Sequence, residues 1–350
     1  MRYTTFGHRT GLRVSEYALG TANFGTGWGA GAEPDEARRI FDRFAEAGGT
    51  FLDSADGYQF GESEELTGKL ISADREHFVL ATKFALGAAP QPDISKTGNS
   101  RKNMVASVEA SLKRLGTDYI DLLWVHFPDQ LTPMEELLRG LDDLVSAGKI
   151  HHAALSNFPA WRVSRAVTLA DLRNQAPIIG IQHEYSLVER TADRELLPMA
   201  ESLGLGAALW SPLGGGLLTG KYRSSTEGRL SDLGMVIHTE STDQKTAVVD
   251  TVLAIAHESG VTPAQVAVAW VRERARSVAT LVPIIGPRNL AQLDSYLGAL
   301  DVQLTDEQYT RLTEVSAVPL GTPHEGIAGS LDRLQGGAAD RVIAPVAPVA

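Results

Sequence analysis

Eight short apolar runs punctuate this chain, and helical patterns fill the spaces between them. The runs are residues 16–20 (EYALG), 50–55 (TFLDSA), 78–84 (FVLATKF), 119–126 (YIDLLWVH), 152–157 (HAALSN), 178–184 (IIGIQHE), 206–211 (GAALWS) and 279–286 (ATLVPIIG). Each is apolar on both faces, as a strand buried in a parallel sheet must be. Eight such strands alternating with helices over about 300 residues predict an α/β fold of one domain, a (β/α)8 barrel. The rival is a doubly wound sheet, which carries G-x-G-x-x-G after its first strand when it binds a dinucleotide. Residues 25–31 (GTGWGAG) follow the first run with a different spacing and read as a flexible loop.

Helix signals support the alternation. Residues 35–47 set Ile40, Phe41 and Phe44 on one side and stop at Gly48; residues 101–115 set Val105, Val108, Leu112 and Leu115 at helical spacing and stop at Gly116. Thr132, Pro133 and Glu135 predict an N-cap, a first helical residue and a capping box. Thr262, Pro263 and Gln265 repeat the pattern, and Thr305 with Gln308 opens a last helix. Two segments read as irregular. Residues 223–245 are long and polar, a lid expected to be ordered by a ligand. Residues 320–350 are rich in Gly, Ala and Pro, so the barrel is assigned to residues 1–319, followed by a partly disordered tail ending in APVAPVA.

Charge and composition narrow the partners. A net charge of −11 repels phosphodiester backbones, which argues against nucleic acid. With no cysteine there is no disulfide, thiolate nucleophile or thiolate metal site. The first residues lack the apolar core of a signal peptide, and no run reaches the length of a membrane span. A soluble cytoplasmic protein acting on small molecules is the expectation, with its oligomeric state left open.

In a barrel of this kind, chemistry gathers where strands end and βα loops begin. Asp53 ends the second run, Lys83 the third and His126 the fourth; Tyr58 lies five residues past Asp53. A lysine flanked by FVLAT and FAL is costly to bury without an anion, which Asp53 can supply. The pair reads either as a structural ion pair or as a means of activating Tyr58. A cation within about 4–6 Å can lower an acid's pKa by about 1–3 units, and free tyrosine lies near 10. Asp, Tyr, Lys and His together suit proton transfer to a carbonyl. His126 taken alone reads as a core histidine. The adjacent His151 and His152 point to opposite faces of a strand, so no metal site is expected, and Asp118 and Asp121 look structural.

Residues 215–221 spell G-x-x-x-x-G-K, the outline of a phosphate-cradling P-loop, but Tyr222 stands where that loop needs Ser or Thr for Mg²⁺. Phosphate sites in barrels are commonly built after strands seven and eight. SPLGGGLLTGK follows the seventh run and GPRNLAQ the eighth, so the glycines and Lys221 fit a phosphate loop that needs no metal. A nucleotide triphosphatase is thereby disfavoured.

Several segments together resemble the aldo-keto reductases: FLDSADGYQFGESEELTG, LATKF, RLGTDYIDLLWVHFPD, LSNF, IQHEYSLVER and WSPLGGGLLTGKY. The resemblance spans roughly residues 1–315. It leans toward the branch that includes potassium-channel β subunits and many bacterial reductases. It implies a (β/α)8 barrel that binds NADPH and reduces an aldehyde or ketone by direct hydride transfer. The family's catalytic tetrad falls on Asp53, Tyr58, Lys83 and His126, with Tyr58 as proton donor. The implied cofactor contacts are Gly20, Thr21, Asp53, Ser156, Asn157, Gln182, Trp210, Ser211, Pro212, Leu213, Gly215, Lys221, Gly286, Arg288 and Gln292. Among them Trp210 stacks on the nicotinamide, and Arg288 meets the adenosine 2′-phosphate. Tyr296 departs from the asparagine usual near adenine. Trp28, Phe60, Phe84, Phe127 and Phe158 are candidates for an aromatic substrate pocket. A second function is open to the same fold, a cofactor-sensing regulatory subunit with little turnover.

Overall fold

The computed structural model describes residues 1–224, 238–275 and 280–343. The chain opens with an antiparallel hairpin, β1 (Tyr3–Thr5) and β2 (Arg13–Ser15). Eight parallel strands follow: β3 (Ala18–Gly20), β4 (Phe51–Asp53), β5 (Val79–Phe84), β6 (Ile120–Val125), β7 (Ile150–Ser156), β8 (Ile178–Glu184), β9 (Gly206–Trp210) and β10 (Leu281–Ile285). They pair in sequence order, and β10 returns to β3 to close the barrel. Each of the eight apolar runs supplies one strand. The fold is the (β/α)8 barrel that the alternation predicts.

The apolar core has two layers, set by the period-two geometry of strands. Inside the barrel lie Phe51, Ala81, Leu122, Trp124, Ala208 and Val282, with Phe6 of the hairpin region packed edge-on against Phe51 and Trp124. A larger layer, including Leu80, Phe84, Leu123 and Val125, faces the helices. On β5 this alternation sends Val79 and Ala81 inward, and Lys83 continues the same row. On β6, Leu122 and Trp124 lead inward to His126 in the same way.

The surrounding helices begin α1 (Pro34–Glu46), α2 (Glu62–Ile71), α3 (Arg101–Leu115), α4 (Met134–Ser146), α5 (Ala160–Leu172) and α6 (Leu196–Ser202). They continue α7 (Asp243–Ser259), α8 (Pro263–Arg274), α9 (Leu290–Gly298), α10 (Asp306–Val315) and α11 (His324–Leu334). The boxes at Thr262 and Thr305 form with both reciprocal hydrogen bonds. The box expected at Thr132 does not form. There Pro133 is the N-cap, and the Thr132 hydroxyl donates to Asp129 instead, at 2.7 Å. Asp129 collects amides from Asn99, Leu131 and Thr132, so a turn-forming carboxylate outcompetes the cap.

The loop over residues 25–31 is stitched down: Glu62 accepts the amides of Thr26 and Gly27, and the Gln59 carboxamide bridges Trp28, Ala22 and Ala30. The segment after residue 320 contains helix α11; its final stretch, residues 344–350, lies outside the described residues. Of the expected lid, residues 225–237 also lie outside them. At its edges Arg223 pairs with Glu240 and Asp250, and residues from Asp243 onward already belong to α7. Among the described residues, no helix is long and apolar enough to cross a membrane.

Helix α2 packs against the end of α3 through Gly68. A Cβ at Gly68 would stand 2.2 Å from the Leu115 carbonyl oxygen, with the Leu115 carbonyl carbon and Cα also under 3 Å away. Helix propensity alone makes Gly→Ala favourable by about 0.8–1.0 kcal/mol. Here a backbone clash opposes it, and overpacking costs about 1–3 kcal/mol. Gly68→Ala is therefore expected to destabilise the protein in urea denaturation, the reverse of the propensity ranking. An unchanged or raised midpoint would mean that the two helices part freely.

Candidate active site

At the C-terminal mouth of the barrel, the ends of β4, β5 and β6 bring three of the four expected chemical groups together. Lys83 is fully buried, and its ammonium donates to Asp53 Oδ2 at 2.6 Å, to the Ser54 carbonyl at 2.7 Å and to the Tyr58 hydroxyl at 3.0 Å. Burial on its own would discharge this lysine, but the Asp53 carboxylate and the Tyr58 hydroxyl outweigh it and hold its pKa above the ordinary lysine value. The other oxygen of Asp53 accepts from the Gln182 carboxamide at 2.9 Å. Both carboxylate oxygens are thus engaged in a site where an unpaired charge would be costly.

Tyr58 reaches this group from an unusual turn. The residues after it, Gln59 and Phe60, both adopt left-handed backbone conformations, with φ of 51° and 56°. Such strain is held only where surrounding contacts over-determine it. The Gln59 and Glu62 hydrogen bonds to the 25–31 loop supply those contacts, and they seat Trp28 edge-on to Tyr58 at 6.0 Å.

His126 stands across from Tyr58, ring centroids 6.0 Å apart. Burial, then the Lys83 charge, hold its pKa well below the usual histidine value. It is therefore a neutral imidazole at neutral pH, able to donate one hydrogen bond. Its Nδ1 is buried without a protein partner. The Asn157 amide fixes the His126 backbone by donating to its carbonyl at 3.0 Å.

Asp53, Tyr58 and His126 line one end of a cavity of about 790 Å³. From Tyr58 and His126 it passes Asn157, Gln182 and Trp210, runs along residues 211–221 and ends among Arg288, Gln292 and Tyr296. Gly214, Gly215 and Gly216 all take positive φ, at 55°, 65° and 93°. Three such residues in a row favour glycine, and the second and third, Gly215 and Gly216, line the cavity. Ser211 Oγ accepts the Gly215 amide at 2.8 Å, and the Tyr222 hydroxyl donates to the Gly215 carbonyl at 2.9 Å. Tyr222, out of place in a P-loop, here closes the glycine turn. Helix α9 presents its N-terminal turn to the far end, where the Arg288 amide donates to Gln292 Oε1 at 2.8 Å.

The cavity takes in Gly20, Asp53, Asn157, Gln182, Trp210, Ser211, Pro212, Leu213, Gly215, Lys221, Gly286, Arg288 and Gln292. It does not take in Thr21 or Ser156. Both are fully buried: Thr21 bonds to Ser63, and Ser156 Oγ accepts from Asn157. Phe84 and Phe158 lie outside it too, because both side chains pack in the layer between strands and helices. Phe84 alternates with inward-facing Lys83 and so must point out. Phe127 lines the cavity, and Trp28 with Phe60 forms an edge-on pair beside Tyr58. Sequence reasoning missed Asn23, whose amide donates to the Gly286 carbonyl at 2.9 Å, and the bond from Gln182 to Asp53. An asparagine just past the first apolar run was the available signal for Asn23.

Comparison with known proteins gives a consistent result. The model of the Aldo/keto reductase family matches residues 17–317. An uncharacterized oxidoreductase of Bacillus subtilis is 36% identical, over 94% of this chain and 100% of its own length. A norsolorinic acid reductase of Aspergillus flavus is 35% identical over 89% of this chain and 80% of its own. A putative aryl-alcohol dehydrogenase of Saccharomyces cerevisiae is 31% identical over 89% and 86%.

The buried pair makes a stability prediction. Lys83→Met strands the Asp53 carboxylate with only Gln182 as partner, and loss of one member of a buried pair costs about 3–5 kcal/mol. Removing the charge from both, in Lys83→Met with Asp53→Asn, is expected to recover most of that loss in urea denaturation. A double variant as unstable as the single one would show that the lysine matters here for packing and not for charge.

Proposed function

The chain belongs to the aldo/keto reductase family, and on that footing we propose that it reduces an aldehyde or ketone to an alcohol with NADPH, with Tyr58 as proton donor. The observation that carries this reading is the Tyr58 hydroxyl held 3.0 Å from a buried, charged Lys83 at the mouth of a long cavity.

The residues present suit a nicotinamide dinucleotide. Trp210 lines the cavity with a flat ring, and Asn157 and Gln182 line it with carboxamides. The bare glycine turn and Lys221 suit a pyrophosphate, and Arg288 supplies a cation beside a helix N-terminus for a further phosphate. When bound, the reduced nicotinamide supplies a hydride to the carbonyl carbon.

The chain's own residues handle the oxygen. Tyr58 donates its proton there as negative charge develops, so that hydride and proton together complete the alcohol. The Lys83 ammonium faces the phenolate left behind, and Asp53 with the Ser54 carbonyl keeps that ammonium in place. Gln182 holds Asp53 in turn. Neutral His126 can donate to the same oxygen, so charge is met by donors fixed in advance. Trp28, Phe60 and Phe127 around the opening favour an aryl or otherwise hydrophobic carbonyl compound, in keeping with the aryl alcohol in one relative's name.

Tyr58→Phe is expected to lower turnover on a good aldehyde by about 10²–10⁴ while leaving the cofactor dissociation constant nearly unchanged. Steady-state kinetics with a fluorescence titration of NADPH checks both, and near wild-type turnover would remove Tyr58 from the role of acid. For the cofactor preference, Arg288→Ala is expected to weaken NADPH by about 10–100-fold, since a charge-assisted bond contributes about 1.5–3 kcal/mol. NADH should bind almost as before. Equal losses for both cofactors, or none, would show that Arg288 does not read the 2′-phosphate.

A further inference from the structure

Between Asp53 and Tyr58 lies a second aspartate with no part in the chemistry above. Asp56 is 2% exposed, and neither carboxylate oxygen has a hydrogen-bond partner. Its own amide donates to the Lys83 carbonyl at 3.0 Å, which ties the Tyr58 turn to the strand that carries the lysine. Its side chain faces away from the active site, onto a separate cavity of about 490 Å³ between α3 and the loop of residues 85–99. The next residue, Gly57, touches that loop: a Cβ there would be 3.0 Å from the Gly87 carbonyl oxygen. Turn, loop and cavity therefore meet at one buried acid.

The charged groups around Asp56 do not offer it a counterion. From α2, Glu64 presents a second carboxylate, fully buried. From α3 comes Arg114, but its guanidinium is spent on Glu64, with Nε donating at 2.7 Å. Thr82 donates to the other Glu64 oxygen at 2.6 Å. On the loop side, Asp93 and Lys96 pair with each other toward solvent. The Lys83 ammonium points the other way, to Asp53 and Tyr58.

We propose that Asp56 is a positioning residue for the Tyr58 turn that works as the neutral acid, so that its ionisation loosens the turn with the 85–99 loop and limits the reaction on its alkaline side. Burial, then the Glu64 carboxylate, push the Asp56 carboxyl up to about 7; Arg114 and the amides of Gly57 and Gly87 pull the other way without cancelling that rise. A buried ion without a counterion of its own must recruit water, and the cavity beneath the loop is the route by which water reaches it. Because the acid's pKa is raised on folding, it favours the folded state fully below the ordinary carboxylate range. That contribution is lost as pH climbs from there through about 7.

The proposal rests on the reading of Tyr58 as proton donor, so its test includes measurements that need no activity. Turnover of wild type and Asp56→Asn is measured from about pH 6 to about pH 9. Wild type is expected to lose activity about tenfold per pH unit above about pH 7, while Asp56→Asn holds its activity to a distinctly higher pH. Superimposable profiles, or a uniform loss with unchanged shape, would overturn the proposal, since a purely structural aspartate gives one of those. In parallel, the melting temperature of wild type should fall relative to Asp56→Asn as pH rises through about 7, and parallel curves would overturn it. Should the variant fold poorly, hydrogen exchange on wild type decides. Protection of residues 85–99, corrected for the intrinsic pH dependence of exchange, should drop across the same range, and constant protection would refute the idea. If wild type reduced no carbonyl compound but the melting and exchange results held, the proposed function would fail and the ionisation device would stand.

Discussion

Everything at the mouth of this barrel is arranged around one buried cation. Lys83 has no exposed surface, and a lone ammonium in such a place would give up its proton. Asp53, the Ser54 carbonyl and the Tyr58 hydroxyl take its hydrogen bonds, and together they keep it charged. The requirement runs outward from there. Asp53 must present one oxygen to Lys83 and still satisfy the other, which brings in Gln182 from the opposite side of the barrel. Tyr58 must be delivered by a turn strained at Gln59 and Phe60, which brings in Gln59 and Glu62 as clamps on the 25–31 loop. One buried charge thus fixes the positions of residues from β4, β5, β8 and two loops.

The same charge governs its neighbour. The Lys83 field adds to burial in keeping His126 neutral, so the site holds a cation and a neutral hydrogen-bond donor side by side. Two opposed protonation demands, a charged lysine and a neutral histidine, are thus both met at one pH. The rest of the cavity works through backbone shape. Gly215 and Gly216, in a turn held by Ser211 and Tyr222, line it with main chain that carries no side chain. The Lys83 cluster at one end and the glycine turn at the other are built on the same ring of strands.

How much of this a reader of the sequence could see depends on the interaction concerned. Lys83, Asp53 and His126 were legible because a polar residue closing an apolar run has few places to go. Tyr58 was legible from its nearness to Asp53. Thr21 and Ser156 looked the same by that criterion, yet their short hydroxyls are consumed by immediate neighbours. Asp56 carried no signal: it is one more acid in a loop sequence, and only the packing of α2, α3 and the 85–99 loop removes its partners.

Strand alternation marks the boundary between the two kinds of knowledge. The sequence by itself determined the number of strands, their order with the helices and therefore the barrel, because apolar runs and caps are local, additive signals. The structure adds that Lys83 and His126 point inward, each an even number of residues from an inward apolar neighbour. On β8 that rule breaks. The four residues of β8 from Ile178 to Ile181 match three of β7, from Ala153 to Leu155, so the strand carries an extra residue. Strict alternation from inward-facing Ile179 would turn Gln182 out toward the helices. The irregularity instead leaves Ile181 in the outer layer and brings Gln182 inside to reach Asp53. Only the closed barrel could decide this, because the register of β8 is set by its partners on both sides.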